Sequence, residues 1–205
     1  GALLIFLSVR EKTEGDRRIF KGLSFKDIGP NLRLFMLLNA LFALGAFSYS
    51  FLLIYARDLG FKITFIPVLY LVFTATASLL SFPFGKLSDK IGRKRVLILG
   101  FLLWAAVCLG AIFIHRLILL PALFILYGAH KAALEPVQRT LVCELSPMAF
   151  RASCLGGFQM LIGLCALPAS LIAGWLWEQA GPSAPFALSL ALTAASTLLL
   201  AFVKE

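Results

Sequence analysis

An all-α, polytopic membrane protein, a bundle of six transmembrane helices, is the fold class this sequence predicts. Three observations carry it. First, only 14% of the 205 residues are charged and 60% are hydrophobic, whereas a soluble domain carries about 25% charged residues. Second, five runs have no Asp, Glu, Lys or Arg, namely Leu34 to Ala56, Ile63 to Phe84, Val96 to Ile114, Ala152 to Trp177 and Pro185 to Val203. Each is near the roughly 20 residues that a helix needs to cross a bilayer core about 30 Å thick. A sixth run, Leu117 to Val142, has the length but includes charges. Third, the runs are far longer than the strands of about nine to eleven residues from which membrane barrels are built, so their backbone must be satisfied within helices.

The elements follow in chain order. Residues 1–9, "GALLIFLSV", are apolar but too few to cross, and read as the tail of a preceding transmembrane helix; the alternative is a short interfacial or signal-like stub on a six-helix protein. Residues 10–33 read as a basic linker with seven Lys or Arg. The membrane domain is 34–205, with helices at about 34–56, 63–84, 96–114, 117–142, 152–177 and 185–203. Fourteen Lys or Arg fall on the side holding the linker, the Gly85 to Arg95 connection, Arg151 and Lys204, against three (Arg57, Lys62, Arg116) on the other. Excess Lys and Arg in short loops marks the cytoplasmic side. The expectation is a multi-pass protein of the cell membrane, plasma or inner, with both ends cytoplasmic.

In the first membrane helix Asn39, Ser48, Tyr49 and Ser50 are polar candidates for a cavity wall. The connection after the second helix, "GKLSDKIGRKR", holds five Lys or Arg in eleven residues, together with Asp89 and two glycines. Gly85 is expected to end a closely packed helix and Gly92 to supply a turn of permissive φ. A purely electrostatic loop would need neither the acid nor the glycines.

The fourth helix carries His130, Lys131, Glu135 and Arg139. A charge at the centre of a membrane helix costs about 2.5–3.5 kcal/mol on insertion scales, so these are not expected to face lipid. Lys131, Glu135 and Arg139 stand four apart, on one face, with alternating sign. Two readings stay open: His130, Lys131 and Glu135 bind substrate or a coupling proton in a cavity, or the ladder neutralises itself and is structural. Pro136 frees the carbonyl of Ala132 within this stretch. In the fifth helix Gly156, Gly157, Gly163 and Gly174 allow close packing, and Gly163 with Pro168 and Pro136 are hinge candidates.

Cys108, Cys143, Cys154 and Cys165 lie in or at the ends of apolar runs without metal-ligand spacing, and read as packing residues. No cofactor or metal is expected. Neither H-E-x-x-H, a nucleophile elbow nor a phosphate loop occurs, so an enzyme is not expected. The net charge of +9 is spread over short connections between apolar runs, which argues against a nucleic-acid partner.

"GKLSDKIGRKR" resembles the loop signature of the major facilitator superfamily of secondary transporters, G-x-L-[AS]-D-[RK]-x-G-R-[RK]-[RK]. The match runs through Gly85, Leu87, Ser88, Asp89, Lys90, Gly92, Arg93, Lys94 and Arg95. "ELSPMAFR" is similar to the E-x6-R element of the sugar-transporter branch, at Glu144 and Arg151. The resemblance implies two six-helix halves, of which this chain looks like the C-terminal one, helices 7–12, with an N-terminal half elsewhere as partner. It also implies that Asp89, Arg93, Glu144 and Arg151 form a conformational charge network, and that Gly85, Gly92, Lys94 and Arg95 belong to the signature loop. The expected function is movement of a small-molecule substrate by alternating access within the lipid bilayer, with the proton as coupling ion. The competing reading is a non-transporting sensor or assembly partner on the same scaffold.

Overall fold

The computed structural model describes residues 28–113 and 116–203. The expected tail at 1–9 and residues 10–27 of the linker lie outside them. Among the described residues all regular structure is helical, in seven α-helices: α1 Pro30–Gly45, α2 Tyr49–Asp58, α3 Ile66–Ile91, α4 Arg93–Phe113, α5 Leu120–Leu145, α6 Arg151–Ala180 and α7 Ser183–Ala201. Short 3-10 turns at Ile63–Phe65, Leu117–Leu119 and Met148–Phe150 lead into α3, α5 and α6. By length and composition six segments can cross a membrane, the first formed by α1 and α2 together.

That first span is not one uninterrupted helix, as its charge-free run implied. Its backbone breaks between Gly45 and Tyr49. A Cβ on Gly45 would lie 3.0 Å from Leu192 Cβ and 3.3 Å from Ser189 Cα, so α1 ends pressed against α7. Phe47 leaves the helical path and buries its ring against Phe186 and Trp104. Ser48 then caps α2, its hydroxyl accepting from the Ser50 N–H at 3.3 Å. Broken helices survive at membrane depth only where the freed backbone is buried in protein or lines a cavity, and Phe47, within the break, is itself buried.

The second departure is at the basic connection. Helix α3 runs through Gly85 to Ile91 and α4 begins at Arg93, leaving Gly92 as the turn. Its φ of +96° is a conformation that a side chain rarely adopts. Gly85 therefore lies inside a helix, and a Cβ there would meet nothing within 4 Å. The expectation that it ends a closely packed helix is wrong, because helix continues as long as the backbone ladder stays unbroken, and Gly92 is what breaks it.

Helix α4 is central, packed against α5 on one side and α7 on the other; α1 lies on α7 and α6, and α3 lies mainly on α5. The buried residues of α4, among them Leu97, Phe101, Trp104, Cys108 and Ala111, recur every three or four positions, as a helix covered along a stripe requires. The tightest approach is between α3 and α5. A Cβ on Gly128 would lie 2.6 Å from the Phe73 carbonyl and 2.7 Å from Thr76 Cβ. Gly156, Gly157, Gly163 and Gly174 of α6, expected to pack closely, have nothing within 4 Å of such a Cβ. The segments containing α3 and α6 are the least buried of the six.

Candidate functional site

Helix α5 holds its charges where α1, α2, α3 and α6 converge. Lys131 Nζ lies 3.2 Å from Glu135 Oε1, one helical turn away. The pair separates two hollows. One, of about 140 Å³, lies between α1, α5 and α6 and is edged by Phe42, Gln138, Arg139, Phe158 and Gln159. The other, of about 430 Å³, lies between α2, α3 and α5 and is walled by Tyr49, Tyr70, Phe73 and Tyr127. Lys131 also stands 5.8 Å from the centre of the Tyr127 ring, within cation–π range.

The remaining ionisable candidates divide. Arg139 borders the smaller hollow but makes no ion pair among the described residues, so the charge ladder has one rung rather than two. His130 is not in the wall of either hollow. It is buried against α4, its Nδ1 2.8 Å from the Gly100 carbonyl, among the rings of Trp104, Phe42 and Tyr127. One residue of helix turns a side chain by about 100°, which separates His130 from its neighbour Lys131.

Asn39 is fully buried rather than cavity-lining. Its amide donates to the Phe35 carbonyl at 2.7 Å, and its oxygen accepts from Gln138, bridging α1 and α5. Tyr49 lines the aromatic hollow, whereas Ser48 and Ser50 serve the start of α2. Pro136, Gly163 and Pro168 lie inside helices that continue through them. Thr140 donates to the Pro136 carbonyl at 2.9 Å, one turn further on.

At one end of the bundle Arg93 gathers three elements. Its guanidinium pairs with Asp89 of α3, donates to Ser88 Oγ at 2.7 Å, and reaches Glu144 Oε1 of α5 at 3.1 and 3.2 Å. Three cations, Arg93, Lys94 and Arg95, begin α4 with no acid in its first turn, the wrong sign for a helix N-terminus. Asp89 and Glu144 offset this from neighbouring helices. Lys94 turns away and donates to the carbonyls of Ala201 and Val203, at 2.7 and 2.9 Å, capping the end of α7. Arg151 is exposed and makes no ion pair among the described residues, so the expected four-residue network contains three of its members. Exposed Arg95 takes no part in it.

The family model described as Major Facilitator Superfamily matches residues 35–205. The chain belongs to the major facilitator superfamily. It is also 38% identical, over 203 residues, to an uncharacterized MFS-type transporter of Methanocaldococcus jannaschii. That alignment takes in 95% of this chain and 50% of the relative, so the chain spans about half the length of the curated relative it matches. Six apolar segments and this membership make it a multi-pass membrane protein.

Within this superfamily member, the signature is a helix, a one-residue turn and a helix, not an extended loop. Several residues at its two sites escaped the sequence reading. Ser88 enters the sequence pattern only as a match to the signature, yet it is buried and ties Arg93 to α3, its own hydroxyl donating to the Gly85 carbonyl at 2.8 Å. Gln138 carried a signal, since it follows Glu135 by three residues on the same helix. Tyr70, Phe73 and Tyr127 carried none, because aromatic residues in an apolar run look like ordinary core or lipid-facing positions.

Proposed function

We propose that the chain is the C-terminal six-helix half, helices 7–12, of a secondary active transporter that moves a small solute by alternating access and couples it to protons through Lys131 and Glu135. The observation that carries this reading is the half-exposed Lys131–Glu135 pair, standing between two hollows inside an otherwise apolar bundle. Intramembrane charges are expensive, and those bordering cavities mark substrate or ion paths. An N-terminal six-helix half completes the cavity, and two such halves rocking about a midplane site expose it to each side in turn. Whether water or Lys131 is the nearest partner of Glu135 then changes with the open side.

The Asp89–Arg93–Glu144 cluster is the latch of this cycle. It joins the ends of α3 and α5 to the start of α4 on the side that the Lys and Arg distribution assigns to the cytoplasm. Intact, it holds that side closed, which favours the outward-open form.

Spin labels across the two mouths of the full-length protein test the reading without knowledge of the substrate. Distance distributions should redistribute between inward- and outward-open forms when the buffer goes from acid to alkaline. Glu135→Gln should abolish that redistribution, and Asp89→Asn should shift populations toward the inward-open form at any pH. Distances that ignore both pH and Asp89→Asn would remove alternating access; a redistribution that survives Glu135→Gln would move the coupling site elsewhere.

A further inference from the structure

The two hollows that flank the Lys131–Glu135 pair differ in chemistry. The smaller is edged by two amides, Gln138 and Gln159, and by the guanidinium of Arg139. Among the described residues the larger has Lys131 as its lone cation, and four aromatic residues line it beside Thr74, Ala77 and Ser78. Its rings form a continuous array: Tyr49 and Tyr70 are 5.4 Å apart between centroids, Tyr70 and Phe73 5.0 Å, and Phe73 and Tyr127 5.2 Å. Tyr49 and Tyr70 are exposed while Phe73 and Tyr127 are buried, so the array reaches from the open mouth to the pair at its floor.

Aromatic faces carry the negative lobe of the ring quadrupole and attract cations. The charge at the floor has the same preference. Lys131 is already held by Glu135 and lies against the Tyr127 ring, with a side chain 34% exposed. The Glu135 side chain is 50% exposed, and Lys131, through Oε1, is its single ion-pair partner among the described residues. A carboxylate has about four acceptor sites on two oxygens, which leaves capacity for a second cationic partner. An anionic ligand would reach the remaining Lys131 donors only beside the Glu135 carboxylate and against ring faces that repel it.

We infer that the aromatic hollow takes amphiphilic organic cations, with the apolar body against Tyr49, Tyr70 and Phe73 and the positive centre toward Glu135. This deepens the transport reading and rests on Glu135 facing the substrate path. The volume of about 430 Å³ lies inside the roughly 300–1,000 Å³ of small-molecule sites. An aromatic-rich wall fits a ligand whose body is itself apolar, since a small hydrophilic cation would leave these rings unused.

The test compares tetraphenylphosphonium with tetraphenylborate, ions of nearly the same shape and opposite charge, on the full-length protein in nanodiscs of zwitterionic lipid. Tetraphenylphosphonium should bind saturably, and tetraphenylborate at least about tenfold more weakly, with empty nanodiscs as the reference for partition into lipid. Glu135→Gln should weaken tetraphenylphosphonium binding about tenfold or more, Glu135→Asp should retain most of it, and Tyr70→Leu should weaken it severalfold. Equal binding of the two ions, or tetraphenylphosphonium binding unchanged in both Glu135→Gln and Tyr70→Leu, would overturn the inference. The transport reading fails separately: cation binding with mouth distances that ignore both pH and Asp89→Asn leaves the site assigned and removes alternating access. A distance change without tetraphenylphosphonium binding does the reverse.

Discussion

Asn39 and Gln138 show how one buried polar pair decides packing in a membrane. Both are buried, and Gln138 donates to an Asn39 oxygen that has no other hydrogen bond among the described residues. Replacing one by Leu strands the other, and a stranded buried amide group costs about 1–3 kcal/mol. Replacing both removes the bond and the demand for it together. Asn39→Leu and Gln138→Leu should therefore each lower stability by roughly 1–2 kcal/mol, with the double substitution costing less than their sum. Unfolding midpoints of the full-length protein in detergent read this as a double-mutant cycle, and strictly additive losses would show that the two side chains do not act as a pair. His130 makes the complementary point. It sits beside Lys131 in sequence, and its place in the core is set by the Gly100 carbonyl and by Trp104, whose indole N–H donates to Ser189 Oγ at 2.8 Å.

Among the elements, the contact between α3 and α5 sets the shape of the larger hollow. It depends on Gly128, because the Phe73 carbonyl and the Thr76 side chain occupy the space a Cβ would need. Part of that obstruction is backbone and cannot rotate away. Gly128→Ala should push the helices apart or distort α3, at about 1–3 kcal/mol for overpacking, and Gly128→Val should cost more. The same substitutions should disturb the ring array, since Phe73 lies directly beside Gly128 and next to Tyr127. Thermal midpoints falling in the order wild type, Ala, Val would support the account; a Gly128→Val variant as stable as wild type would show that α3 moves at no cost. Lys94 links elements differently, joining the first turn of α4 to the carbonyls at the end of α7. A cation that is out of place for its own helix is thus well placed for another.

For the molecule as a whole, the least buried segments are those containing α3 and α6. In a soluble protein such apolar faces would mark a missing partner; here lipid is available to cover them, as is the N-terminal half of the proposed transporter. The fourteen-to-three division of Lys and Arg predicts that the linker side faces the cytoplasm. In cells making the full-length protein, an impermeant thiol reagent applied outside should label a cysteine placed at Lys62 and spare one placed at Lys90. The four native cysteines, Cys108, Cys143, Cys154 and Cys165, are free thiols, so they are replaced first in this experiment. The opposite labelling pattern would invert the orientation.

Composition, span number and the signature were legible in the sequence because they rest on local quantities. A bilayer demands a length of apolar helix whatever its neighbours are, and Gly92 demands its own backbone angle. The Lys131–Glu135 pair was legible for the same reason, since four-residue spacing on one helix is a local fact. Other features needed the neighbours. The first span breaks where Gly45 abuts α7 and Phe47 finds a seat between Trp104 and Phe186, contacts that Gly45 and Ser48, a helix stop and a cap in the sequence, do not by themselves determine. Gly128, rather than the glycines of α6, makes the close approach because only the packed bundle determines which helical face meets a backbone. Arg151 stands outside the charge cluster although its spacing from Glu144 matched the family pattern, because sequence spacing does not determine where a side chain reaches once the chain has turned into α6.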